Sequence, residues 1–130
     1  MDRISPNIAT WVVQLLKSGD RPLKGGWLLK NLVKLNECGV PLIEMAVVLN
    51  AIHAAHPKNA TILFDATSKV RSRPDVRKLI AFLHGGNKDS FTLDEKERET
   101  ADAWPIIKTL CDANGIKNQV VEDAVAGRTP

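Results

Sequence analysis

Pro41-Leu42-Ile43-Glu44-Met45-Ala46-Val47-Val48-Leu49-Asn50-Ala51-Ile52-His53-Ala54-Ala55 is apolar on nearly every side when wound as a helix. A surface helix shows one apolar stripe and one wet face. This stretch has no wet face, which predicts the central element of a helical bundle. Pro41 is a suitable opening residue, and His56-Pro57 ends the pattern. Glu44, Asn50 and His53 interrupt the run, and it is too short to cross a bilayer, so no membrane is expected among the partners.

Working outward, capped helices recur on both sides. Ser5-Pro6 is an N-cap followed by proline at the first helical position, where a missing N–H costs nothing. Ile8, Trp11, Val12, Leu15 and Leu16 then keep the 3.6-residue period up to Gly19. After Gly25-Gly26 a second helix is expected, with Leu28, Leu32, Val33 and Leu35 inward, Lys24, Lys30 and Lys34 outward, and Gly39 closing it. Residues 59–70 read as a further helix with Ile62, Leu63, Ala66 and Val70 on one stripe. Thr61-Ile-Leu-Phe64 also fits a short strand, but no second strand-like run exists to pair with it.

Ser72, Pro74 and Asp75 mark another helix start, with Val76, Leu79, Ile80 and Leu83 as its stripe and Gly85 as its stop. Residues 85–91 read as a surface loop and hinge. Thr92-Leu-Asp-Glu95 is a capping box, and the helix it starts meets Pro105, predicting a kink near 101–104. Ile106, Ile107, Leu110 and Cys111 continue the apolar side to Gly115, and Asn118 to Ala126 forms a last short helix. The expected fold is all-α: a single compact bundle of about six to seven short helices over residues 1–130. The helix at 41–55 should be central, wrapped by the first, the second and those starting at 74 and 92. No pattern returns at a fixed period, so a solenoid is not expected.

The charge is divided along the chain. Residues 1–88 hold 13 Lys and Arg against 6 Asp and Glu, a balance of +7, while residues 89–130 hold 5 against 9, a balance of −4. One end should attract anions and the other repel them. The densest part is Lys69-Val-Arg-Ser-Arg-Pro-Asp-Val-Arg-Lys78, with five cations and one carboxylate around a helix start. Lys69, Arg71, Arg73, Arg77 and Lys78 can neutralise phosphates, and Ser72 with the helix N-terminus adds donors for an anion. A solvated turn is the plainer account of the same residues. No aromatic residue is interleaved with the cations to stack on bases, and tyrosine is absent.

Other chemistries find little footing. A helix-turn-helix around Gly39 would place Pro41, Leu42, Ile43 and Glu44 in the major groove, and none of these makes bidentate base contacts. His53, His56 and His84 with Cys38 or Cys111 show no metal-ligand spacing, so neither metal nor cofactor is expected. Gly25-Gly26 and Gly85-Gly86 lack the strand and pattern of a nucleotide loop. Asp94, Glu95, Glu97, Glu99 and Asp102 read as a solvated face rather than a catalytic pair.

The leading expectation is therefore a non-enzymatic helical binding module for nucleic acid (RNA or DNA), another polyanion or an acidic protein surface. An assembly or adaptor protein is the alternative, self-associating into a homo-oligomer through its basic body and acidic 92–103 helix. Trp27, Phe91 or Trp104 would then be exposed anchors. A small enzyme is the third reading, with a site gathered from His53, His56, His84, Asp65 and Cys38. Cys38 and Cys111 are too few for a disulfide framework and read as small buried or half-buried residues, with one bridge between them left open. Met-Asp-Arg-Ile-Ser-Pro lacks the features of a signal peptide, so an intracellular (cytoplasmic), reducing compartment is expected.

Overall fold

Four helices can be followed from end to end: α1 (Pro6–Ser18), α2 (Leu42–Ala55), α3 (Trp104–Ala113) and α4 (Gln119–Ala126). The structure is a computed structural model and describes residues 4–18, 30–31, 33–35, 37–55, 78–79, 94–96, 100 and 102–127. Residues 30–31, 33–35, 37, 78–79, 95–96 and 100 are helical as well, and no strand occurs among the described residues. With the helix around 30–37, five helices are counted among the described residues, against the six to seven expected. The alternatives weighed for 59–70 fall outside the described residues, as do most of the positions assigned to a helix from 74.

α2 is the centre. Residues 44–52, 54 and 55 are all buried, and Met45, Ala46, Val47, Val48, Leu49 and Ala51 have no exposure at all. α1 makes the most extensive contact with α2, and α3 and α4 also pack against it. The expectation named α1 and the α3 segment but not α4, which also reaches α2. Ile8, Val12, Leu15 and Leu16 of α1 meet this core, as do Leu79, Trp104, Ile107, Cys111 and Val121.

The helix ends follow local chemistry. Ser5 caps α1: its carbonyl accepts from Ala9 N–H at 3.0 Å and its Oγ accepts from Ile8 N–H at 3.4 Å. A capping box would place Glu or Gln at the third helical position to bind the N-cap N–H. Ile8 stands there, and Glu44 of α2 takes the role, its Oε1 accepting Ser5 N–H at 2.6 Å. The carboxylate thus faces the positive end of α1. Pro41 is the N-cap of α2 rather than its first helical residue, since its carbonyl accepts from Met45 N–H at 3.1 Å.

Gly39 and Gly115 both have φ of 66°. Each allows a six-to-one closing bond, from Val40 N–H to Leu35 carbonyl at 3.5 Å and from Ile116 N–H to Cys111 carbonyl at 2.9 Å. Asn118 caps α4, its Oδ1 accepting from Val120 N–H at 2.9 Å and Val121 N–H at 3.3 Å.

The kink expected at Pro105 is a break instead. Residues 102 and 103 are not helical, and α3 starts afresh at Trp104 with Pro105 in its first turn. There the missing N–H removes no bond, so starting a helix costs less than bending one.

Candidate polyanion-binding surface

Of the six residues assigned to an anion site, the structure describes Lys78 alone. Lys69, Arg71, Ser72, Arg73 and Arg77 lie outside the described residues. Lys78 is helical and half-buried rather than exposed, and another group of the chain already engages it. Leu79 beside it is completely buried in the core, so the end of the cationic stretch is fixed to the fold.

The charge division seen in sequence persists in the side chains that meet water. Among the described residues Lys17, Lys30 and Lys34 are exposed against Glu37 before residue 89, and Asp94, Glu95, Asp112 and Asp123 against Lys96 and Lys117 after it. Lys108 is the cation most tightly held among these carboxylates. Its Nζ donates to Glu122 at 3.1 Å and to Asp112 at 3.2 Å, tying α3 to α4. The hydrogen bond to Glu122, then that to Asp112, holds its ammonium above the ordinary lysine range.

The residues grouped for a possible enzyme site do not converge where they are described. His53 is half-buried on α2, its ring edge-on to Trp104 with centroids 6.3 Å apart, and burial lowers its pKa below 6.5. Cys38 is exposed at the other end of α2, beyond its first turn. His56, His84 and Asp65 lie outside the described residues. Among the described residues no group of three or more His, Cys, Asp or Glu side chains could hold a metal ion. No described helix is long and apolar enough to cross a membrane.

Two further expectations are corrected, and a third point left open is answered. Trp104, offered as an exposed anchor, is 4% exposed, because with Ile107 and Cys111 it forms the inner stripe of α3. Cys38 is exposed rather than buried, because it sits in the turn between two helices. Cys38 and Cys111 both keep free thiols, and burial raises the pKa of Cys111.

One feature escaped the sequence: a groove of about 360 Å³ between α1 and α3, lined by Ala9, Thr10, Val13, Gln14, Lys17, Leu110 and Asn114. The residues from α1 follow helical spacing beside the buried stripe, a row too polar to stand out as a second apolar face. Its floor is partly apolar and Lys17 is its one charged lining residue. Comparison of the chain with protein-family models, with curated proteins and with solved structures found no match.

Proposed function

We propose that this protein is a non-enzymatic helical module that binds nucleic acid, RNA or DNA, or another polyanion through Lys69, Arg71, Ser72, Arg73, Arg77 and Lys78. The observation that carries this reading is the density of charge there, five cations and one carboxylate in ten residues, within a body of +7. Burial of Leu79 supports it, since a cationic stretch tied to a core loses less entropy on binding than a free tail. The proposal includes a single-domain helical bundle working inside the cell, where the two thiols stay reduced.

Phosphate contacts release counterions, so affinity should fall about tenfold or more from low to physiological ionic strength. The test is binding of a mixed RNA and DNA pool at two salt concentrations, by the wild type and by the R71E/R73E/R77E variant. Lys78 is left in place because it is half-buried. Salt-sensitive binding by the wild type and none by the variant supports the reading. Equal binding by both, or none by either at low salt, overturns it.

Exposure of Asp94 and Glu95 favours a second reading, self-association of the basic body with the acidic segment of another copy. Sedimentation without nucleic acid separates the two. A dimer that dissociates as salt rises supports assembly, and a monomer at every concentration opposes it.

A further inference from the structure

Of the eight asparagines in the chain, Asn114 alone is followed by glycine. Both residues are exposed, at the corner where α3 ends. Asn114 is the C-cap, with φ −112° and ψ 9°, and Gly115 turns the chain at φ 66°. A Cβ built on Gly115 would touch nothing within 4 Å, so open space surrounds the peptide nitrogen's own residue.

We propose that Asn114-Gly115 is a self-modification site, at which the chain converts its own asparagine to aspartate and isoaspartate. The Gly115 backbone nitrogen gives up its proton to solvent base and attacks Asn114 Cγ. The new N–Cγ bond closes a five-membered succinimide, and the Cγ–Nδ2 bond breaks as Nδ2 leaves with protons from solvent as ammonia. Water then opens the ring at the side-chain carbonyl, giving aspartate, or at the main-chain carbonyl, giving isoaspartate. One water is consumed and one ammonia released, with no change of oxidation state. Glycine is the residue that least hinders the attack, having no side chain.

The helix corner sets the pace. Asn114 Nδ2 donates to the Leu110 carbonyl at 2.8 Å, which draws the carboxamide back along α3. Gly115 N–H is directed to the Asp112 carbonyl by a long bond of 3.4 Å. Both reacting groups are therefore tied while the corner holds and freed when the last turn frays. Conversion weakens the corner. A carboxylate has no donor for the Leu110 carbonyl, and it adds negative charge at the negative end of α3, two residues from Asp112. Isoaspartate also lengthens the backbone, which disrupts the Ile116 to Cys111 bond and the seat of α4 behind it.

The full chain is incubated at two mildly alkaline pH values one unit apart, with and without urea, and mapped by peptide mass and by enzymatic methylation of isoaspartate. Asn114 should convert before the other seven asparagines, about tenfold faster at the higher pH because one proton is lost. Urea should quicken it further by releasing the corner. The G115A variant should lose conversion at this site in the folded chain and slow it in urea, where folding no longer matters. Earlier conversion of another asparagine in the folded chain, no conversion at Asn114, or the same rate with and without urea would each overturn the proposal.

Discussion

Glu44 and Ser5 stand 39 positions apart, yet the carboxylate of one completes the helix cap of the other, Oε1 to N–H at 2.6 Å. The first turn of α1 is thus finished by the helix it covers. Glu44 is 7% exposed, so the contact is shielded from water. The interaction makes the start of α1 depend on α2, and it sets the first expectation.

Glu44→Ala should cost about 1–3 kcal/mol, the penalty of leaving a shielded N–H unpaired. Glu44→Gln keeps an acceptor oxygen and should cost less. Denaturant midpoints give the totals, and amide exchange at Ala9, whose N–H bonds the Ser5 carbonyl, reports the local effect. An E44A midpoint equal to that of the wild type would show that the cap contributes nothing.

Leu49 is completely buried in α2 and Thr109 is exposed on α3. Leu49→Ala should lose about 2–5 kcal/mol, a large part of a stability of about 5–15 kcal/mol. Thr109→Ala should change it by no more than roughly 0.5 kcal/mol. Similar shifts in the two variants would mean that the centre of the bundle is misassigned.

Asn118 serves two helices, accepting from Val120 and Val121 of α4 and donating Nδ2 to the Ala54 carbonyl of α2 at 3.3 Å. Asn118→Ala removes both and should cost about 0.5–2 kcal/mol for the cap. Asn118→Asp keeps the acceptor and loses the donor, so it should fall between wild type and alanine. Thermal melts rank the three.

Burial lowers the His53 pKa in the folded chain below 6.5, the value it regains on unfolding. Between the two values the unfolded state holds more protons, so stability rises with pH. The contribution of neutral His53 is complete above 6.5 and is lost as pH falls through the window beneath it. Midpoints one unit above and one unit below 6.5 should differ more for wild type than for His53→Gln. An unchanged difference in the variant would assign the pH dependence to other groups.

Cys38 is exposed and Cys111 is 3% exposed, with its thiol pKa raised by burial. A thiol reagent should label Cys38 at once and Cys111 only on opening of the fold. Labelling sites mapped over time check this, and simultaneous labelling of both in native buffer would contradict the packing of α3.

How much of this was legible depends on the range of each interaction. α2 could be read because its burial is written in its own composition, with apolar residues on every side from Leu42 to Ile52. The caps at Ser5, Gly39, Gly115 and Asn118 could be read because a cap is chosen by the residue that makes it. The Glu44 cap could not, since nothing local pairs residue 44 with residue 5. Trp104 was misplaced although its spacing to Ile107 and Cys111 put it on the inner stripe; its size was read as an anchor instead. Pro105 reads as an interior proline in the sequence because the acidic pattern before it and the apolar pattern after it join without a gap. For the cationic stretch, charge density was legible, but the half-burial of Lys78 was not, since burial depends on distant neighbours that a local charge count does not register.

α2 also has a timing problem that its position creates. It is complete at Ala55, but α3 begins at Trp104 and α4 at Gln119. At about 5–20 residues per second of synthesis, a ribosome needs several seconds to cover that distance. Until then the most apolar of the described helices has α1 against it and bare sides where α3 and α4 will sit. The growing chain therefore passes through a stage at which its best core segment is its stickiest surface. A truncation ending before Trp104 should therefore aggregate where the full chain does not.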